Sequence, residues 1–400
     1  MEPIILHIDV NSAFLSWTAI DLLNNGFGKD IREEYAVISG DESKRHGIVL
    51  AKSDKAKQKG IITGESLYNA RRKCPNLNVY APDYHLYEEM SDCLFKLLST
   101  YTPDIEILSI DECFIDYTKI KKLYGDEIAF AHKLKDKIKQ ELGFTVNIGI
   151  GNNKLCAKMA SDFQKPDKVH TLYQHEVKAK LWPLPINELY GIGKKTSEKL
   201  ITLNIKTIGD LANIDYNFLY KYFKNQAASM IESANGIDHS LVISNSLPPK
   251  GISHSITLER DLTTKEEIYE VLQMIVERVA ISLRKQHKYA YVVVVNLKNQ
   301  FFKSYSHQVK LKNATNITNE IFETTKRLLD EMWKNEPIRL VGIRLDSLVD
   351  SDHYQQSLFE DVVDREKQKK LEEVIDNLKS KYGHHIIKPA ALSKNKKKMN

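Results

Sequence analysis

Apolar positions along this chain fall into short strand-like runs and longer helical repeats, in two separate groups. "IILHIDV" (4–10) is a short β-rich run. "NSAFLSWTAIDLLNN" (11–25) follows, with Phe14, Trp17 and Leu22 at helical spacing and Asn11 or Ser12 as its N-cap. Residues around 35–80 mix short strands with a helix, "SLYNARRKC", ended by Pro75, and "YHLYEEMSDCLFKLLSTYT" (84–102) is an amphipathic helix stopped near Pro103. Then come "ILSIDECFID" (107–116), a helix, "DEIAFAHKLKDKIKQELG", and the run "FTVNIGIG" (144–151). Strand, helix, two strands, helix, strand predicts an α+β layer: one antiparallel sheet backed by helices.

After Pro166 the pattern changes. "LPINELYGIGKKTSEKLITLNIKTIGDLANI" (184–214) reads as short helices and Gly turns, without strands, to about Gly236. "SNSLPPKG" (244–251) reads as a linker. Residues 252–348 give strand, helix, two strands ("YAYVVVVNLK" and "FFKSYSHQVKLK"), helix, strand, which is a second small α+β domain. From 349 the chain is polar, with one charged helix at about 361–382 and a basic tail.

Composition changes this picture little. The chain of 400 residues is too long for one core, and 42% apolar with 28% charged residues is ordinary for a globular protein. No run approaches ~20 apolar residues, so no membrane span is expected, and no signal peptide is visible. Cys74, Cys93, Cys113 and Cys156 are scattered without a CxxC pair, which fits reduced thiols in a cytoplasmic protein and argues against structural zinc. The net charge of +5 sits in the last forty residues, with 11 Lys/Arg against 6 Asp/Glu, and the first 360 balance. Nucleic-acid contacts, if any, must be local patches.

Four segments carry candidate chemistry. Asp111 and Glu112 lie side by side in an apolar run, where a straight strand would send one of them into the core. A tight hairpin at Asp-Glu lets both converge, and converging carboxylates need a cation between them. A solvated turn is the plainer alternative. Asp9 ends the first strand just ahead of a helix, as a metal ligand or an ordinary cap. "GIGNNKLCAKMASDFQKPD" (149–167) sets two glycines at a strand-to-helix turn before Lys154, Lys158 and Lys165, which suggests phosphate contacts without a Walker A loop. "INELYGIGKKTSEKL" (186–200) is a helix–hairpin–helix pattern, in which Gly191 and Gly193 let a phosphate approach, with Lys194 and Lys195 at the mouth.

In this order and spacing the four segments resemble the Y-family DNA polymerases, the translesion enzymes, and most closely their DNA polymerase IV branch. "IDVNSAF", "SIDE" and the 149–167 segment are similar to that family's three palm motifs. The resemblance covers about residues 1–350 and implies a right-hand polymerase. Its palm would comprise 1–13 and 83–172, with small fingers at 14–82 and a helix–hairpin–helix thumb at 173–240. A linker at 241–251, a little finger at 252–349 and a tail at 350–400 would follow. It implies that Asp9, Asp111 and Glu112, with the Val10 carbonyl, hold two Mg²⁺ ions. One ion lowers the pKa of the primer 3′-hydroxyl and the other clamps the triphosphate. Phe14 stands where the family has its steric gate against ribose.

The same resemblance implies nucleotide contacts from Ser53, Lys57 and Lys165, and DNA contacts from Lys250, Ser253, Arg339 and Arg344 on edge strands of the little finger. Two departures stand out: Asp54 replaces the usual Tyr, with Ser53 or Lys52 as compensation, and "KPDK" replaces Lys-Pro-Asn-Gly. "QQSLF" is similar to the bacterial sliding-clamp peptide, through Gln355, Leu358 and Phe359, although Gln356 departs from it. The expected partners are primer–template DNA, deoxynucleoside triphosphates and a sliding clamp, for a monomer off the membrane. No segment is left for a proofreading exonuclease, so error-prone, distributive synthesis is expected. A nucleotidyl cyclase on a similar palm and a non-catalytic DNA-binding scaffold are the alternatives. Asp116 has no motif role and is read as structural.

Overall fold

The structure is a computed structural model and describes residues 2–244, 248–351, 362–383 and 386–387. Its contacts divide the chain into two units, one of 1–41 with 47–246 and one of 42–46 with 247–400. The strands of the first unit are β1 (Ile5–Val10), β2 (Ala36–Ser39), β3 (Val49–Lys52), β4 (Asn78–Tyr80), β5 (Ile105–Ile107), β6 (Glu112–Asp116), β7 (Val146–Gly151) and β8 (Val169–Leu172). Those of the second are β9 (Gly251–Leu262), β10 (Tyr289–Asn299), β11 (Ser304–Thr315) and β12 (Ile338–Val349).

The main sheet of the first unit has the order β5-β6-β1-β7-β8. β1 pairs antiparallel with β6 and β7, but β7 and β8 are parallel. The wholly antiparallel sheet expected from the sequence is therefore a mixed one. The helix Lys154–Asp162 carries the chain back across the sheet between β7 and β8, the connection that a parallel pair requires.

Period-two alternation sorts β1 into two faces. Leu6, Ile8 and Val10 join the main core under the helices Tyr84–Ser99 and Glu127–Leu142. Ile5, His7 and Asp9 take the other face, where Ile5 packs with Phe114 and with Ala157 of the helix Lys154–Asp162. β7 repeats the pattern, with Val146, Ile148 and Ile150 in the core. Gly149 and Gly151 lie on the helix side. A Cβ on Gly149 would stand 1.9 Å from the Ala157 carbonyl oxygen, and one on Gly151 2.7 Å from the Ala157 nitrogen. These glycines serve to seat the helix on the sheet, which corrects their reading as a phosphate-facing turn.

The second sheet of this unit has the order β3-β2-β4. The helix Ala13–Asn24 joins it to the first: Ala13 and Trp17 belong to the main core, Leu15 and Ala19 to the core of the smaller layer. Residues 177–234 form short helices joined by turns and share a core with Leu155, Cys156 and Met159. The first helix of the expected helix–hairpin–helix is only a 3₁₀ turn, Ile186–Glu188; the second is the helix Lys194–Thr202, with Gly193 as its N-cap.

In the second unit the order of elements is the expected one, and the sheet runs β11-β10-β12-β9, antiparallel throughout. Val293, Val295, Leu297, Val341, Ile343 and Leu345 face the helices Lys265–Lys285 and Thr318–Met332. β9 is an edge strand as expected, whereas β12 is an inner strand. The helix Val362–Tyr382 is held by Arg284, which reaches Glu372 at 2.5 Å and Asp376 at 2.6 Å. Gln355, Leu358, Phe359 and the tail 388–400 lie outside the described residues. No helix among the described residues is long and apolar enough to cross a membrane.

Candidate active site

The register of β1 against β6 sets Asp9 directly opposite Glu112. Opposed residues share a face, so the two carboxylates are neighbours. Asp111 belongs to no strand. The chain reverses over 108–111: the Leu108 and Ser109 N–H groups donate to the Glu112 carbonyl at 3.0 and 3.2 Å, and the Val10 N–H donates to the Asp111 carbonyl at 3.0 Å. The hairpin therefore turns just before the acid pair and not between its members. Asp111 ends the turn, Glu112 opens β6, and the Ser109 hydroxyl donates to Asp111 Oδ1 at 2.6 Å.

Like charges in opposition are unfavourable without compensation. Lys158 Nζ lies 2.5 Å from Glu112 Oε2, and His7 Nε2 lies 3.2 Å from the same oxygen. The His7 contact first, and then Lys158, hold the Glu112 carboxyl down to about 2 against the opposing effect of burial. Burial pushes Asp9 above the usual carboxylate range, and Lys165, 3.0 Å from Asp9 Oδ1, offsets part of that rise. Ligand atoms of His7, Asp9 and Glu112 all lie within 4.8 Å of one another. The two opposed carboxylates form an oxygen donor pair that fits a hard divalent cation, and Asp111 lines the cleft that Asp9 also lines.

His7 and Lys158 were not singled out for this place by the sequence. His7 reads as one more residue of an apolar strand, and Lys158 as a phosphate-facing lysine. Lys154 is likewise committed elsewhere, to Glu106 at 2.7 Å and over the Phe114 ring. The signal that was available is the strand period: His7 precedes Asp9 by two and so shares its face.

Asp9, Val10, Phe14, Lys52, Lys57, Asp111 and Lys165 line one cleft of about 320 Å³. The Phe14 ring stacks on Tyr87 with centroids 4.3 Å apart and an interplanar angle of 6°. Tyr87 is fully buried and its hydroxyl meets that of Thr18 at 2.9 Å, so the ring behind Phe14 is itself pinned. Ser53 is absent from the cleft. Its buried hydroxyl accepts from the Ala56 and Ala36 N–H groups and donates to the Glu34 carbonyl, which corrects its assignment as a nucleotide contact. Lys52 lies in the cleft instead, beside Asp54, and donates to Thr63 Oγ1 at 3.1 Å.

The departure at "KPDK" has a local solution. Asp167 takes a left-handed φ of 61°. Its N–H donates to Asn11 Oδ1, and its carboxylate binds Lys135 and Lys139 at 2.8 and 2.9 Å, so ion pairs hold a turn that glycine or asparagine would make more freely. Asp116 caps the following 3₁₀ turn through the Thr118 N–H, a structural role.

Gly191, at φ 91°, and Gly193 are exposed, and a Cβ on either would meet nothing within 4 Å; Lys194 and Lys195 are exposed beside them. A second cavity of about 450 Å³ is lined by Leu108 and Phe114 of the acid-bearing hairpin and by Tyr190 and Gly191. In the second unit, Ser253 and Arg344 are cross-strand partners, both exposed on the sheet face away from its helices, and Lys250 is exposed just before β9. Arg339 is half-buried, with its guanidinium 4.7 Å over the Phe302 ring.

Family models of the impB/mucB/samB family match residues 8–162, of that family's C-terminal domain residues 249–358, and of the IMS-family HHH motif residues 175–205. A protein of Clostridium acetobutylicum named DNA polymerase IV is 46% identical over 399 residues, covering 100% of both chains. Relatives named DNA polymerase IV in Acetivibrio thermocellus and DNA polymerase IV 2 in Bacillus subtilis are each 33% identical, covering 98% of this chain and 98% and 95% of theirs. Among solved structures, a Y-family DNA polymerase chimera matches with a TM-score of 0.75 at 22% identity, over 87% of this chain and 100% of that one.

Proposed function

Because this chain belongs to the impB/mucB/samB family, in its DNA polymerase IV branch, we infer that it is a DNA-directed DNA polymerase of the translesion type. The observation that carries the reading is the cleft in which Asp9, Asp111, Phe14 and the lysines Lys52, Lys57 and Lys165 meet, with Glu112 opposite Asp9. Asp9, Asp111 and Glu112, with the Val10 carbonyl, would hold two Mg²⁺ ions. When bound, such ions acidify the primer 3′-hydroxyl and neutralise the charge on the triphosphate and its leaving group. The chain's own residues do the rest. Lys52, Lys57 and Lys165 attract and orient the triphosphate, and Ser109 steers the Asp111 carboxylate. The Gly191–Gly193 turn, Lys194 and Lys195 hold the duplex by its phosphates, without reading sequence. On the second unit, Lys250, Ser253 and Arg344 offer DNA phosphates a salt-dependent contact of their own, with Arg339 beside them in sequence on β12. A clamp contact through Gln355, Leu358 and Phe359 belongs to the same reading, as does a monomeric, cytoplasmic enzyme.

Primer extension on a template, compared with cyclisation of a free triphosphate, tests the reading. Extension abolished by Asp111→Ala supports it, whereas cyclisation, or equal extension by both proteins, sinks it. Two further expectations arise here. Phe14→Ala opens space under the sugar and should raise ribonucleotide incorporation about tenfold or more relative to deoxynucleotide, since each ~1.4 kcal/mol of lost discrimination is tenfold. Single-nucleotide insertion kinetics measure it, and unchanged sugar preference would reject the gate. Asp54 puts a negative charge where a triphosphate must bind. Asp54→Asn should therefore lower the KM for nucleotide about two- to fivefold, the worth of an exposed charge contact, with little change in kcat.

A further inference from the structure

Behind the carboxylates lies a buried group that the reaction itself does not use. His7 is fully buried on the face of β1 that carries Asp9, between its cross-strand neighbours Phe114 and Gly149, with the Phe114 ring 4.8 Å away. Its Nδ1 stands 2.8 Å from Ser161 Oγ and its Nε2 3.2 Å from Glu112 Oε2. The second approach is off the line of a well-made hydrogen bond, and Nε2 has no other partner. Lys158 Nζ reaches the same Oε2 at 2.5 Å. Glu112 Oε1 accepts no hydrogen bond among the described residues.

We propose that His7 is a positioning residue for Glu112: with Lys158 it anchors one carboxylate oxygen and so turns the other toward the cation shared with Asp9. The proposal rests on the polymerase reading of the cleft. The Ser161 hydroxyl lies 2.7 Å from the Lys158 carbonyl and 2.8 Å from His7 Nδ1, with a single proton for the two. The Glu112 charge favours an N–H at Nε2, because an N–H facing a carboxylate is attracted and a lone pair is repelled. Ser161 Oγ, 2.8 Å from Nδ1, fixes the ring from its other side. Partners of this kind behind a metal ligand fix its orientation, and losing one typically weakens metal binding about 10–100-fold.

Three variants separate this role from the filling of space. His7→Gln keeps a donor near the place of Nε2, His7→Asn keeps only a group near Nδ1, and His7→Leu keeps neither. Mn²⁺ binding to the full chain is measured by electron paramagnetic resonance, beside thermal melts and primer extension over a range of Mg²⁺. The Leu and Asn variants are expected to bind Mn²⁺ about 10–100-fold more weakly and to need correspondingly more Mg²⁺, with the Gln variant within about threefold of wild type. Wild-type affinity in the Leu and Asn variants would overturn the proposal. So would equal losses in Gln and Asn that merely follow their melting temperatures. A wild-type chain that binds Mn²⁺ but extends no primer overturns the polymerase reading instead, and His7 is then judged on the binding data alone.

Discussion

Asp111→Ala is expected to slow primer extension by about 10³-fold or more, near 4 kcal/mol of lost transition-state stabilisation, while the melting temperature stays within about 2 °C of wild type. The asymmetry follows from where Asp111 sits. It ends a half-buried turn, lines the cleft, and its side chain takes one hydrogen bond, from Ser109. Removing it leaves no buried charge behind. Glu112→Ala should be equally inactive but should also melt several degrees lower, because it strands Lys158 and His7 in a partly buried pocket. Single-turnover extension and thermal melts on both variants separate the roles. An Asp111→Ala chain that lost stability as heavily as Glu112→Ala would show that Asp111 serves the fold more than the chemistry.

Gly149→Ala is the second large effect, and it acts on the fold. The added methyl would lie 1.9 Å from the Ala157 oxygen and 2.4 Å from the Ser161 nitrogen, both backbone atoms that cannot swing aside. The helix Lys154–Asp162 must lift from β7, at a cost of about 3 kcal/mol or more, or roughly 6–12 °C in melting temperature. That movement also carries Lys158 and Ser161 away from Glu112 and His7, so residual activity should need more metal. Gly193→Ala is the control. Its Cβ would meet nothing within 4 Å and its φ is −75°, so it should melt within about 2–4 °C of wild type, the cost of alanine at an N-cap. A Gly149→Ala chain that melted with the control would show that the helix is not seated as tightly as the geometry requires.

Much of this site was legible in the sequence. Acids in an apolar run and an acid at a strand end mark the cleft because each breaks a local rule that packing would otherwise enforce, whereas the glycines before the lysine-rich helix mark where that helix packs on the sheet. What stayed hidden depends on pairing between distant segments. His7 looks like a strand residue until the register brings Glu112 opposite Asp9 and the helix Lys154–Asp162 brings Ser161 onto its ring. Ser53 looks like a phosphate ligand until its hydroxyl is found capping the next helix. β12 reads as an edge strand because its order in the sheet cannot be read from its own residues, and the direction of β8 is missed because parallel pairing leaves no short-range mark.

The helix Ala13–Asn24 has a consequence for how the enzyme judges a nucleotide. It begins three residues after β1 ends and is buried in two cores at once, by Trp17 on one side and by Leu15 and Ala19 on the other. Enzymes that select by induced fit reject a wrong substrate because it fails to drive a domain closure. A joint welded on both sides has no cheap rotation to offer as that checkpoint. Selection then falls to the equilibrium binding of the incoming base pair, where each ~1.4 kcal/mol is worth only a factor of ten. A distorted template base that still stacks would then be judged on the same scale, so tolerance of damage is the outcome expected of one rigid connection.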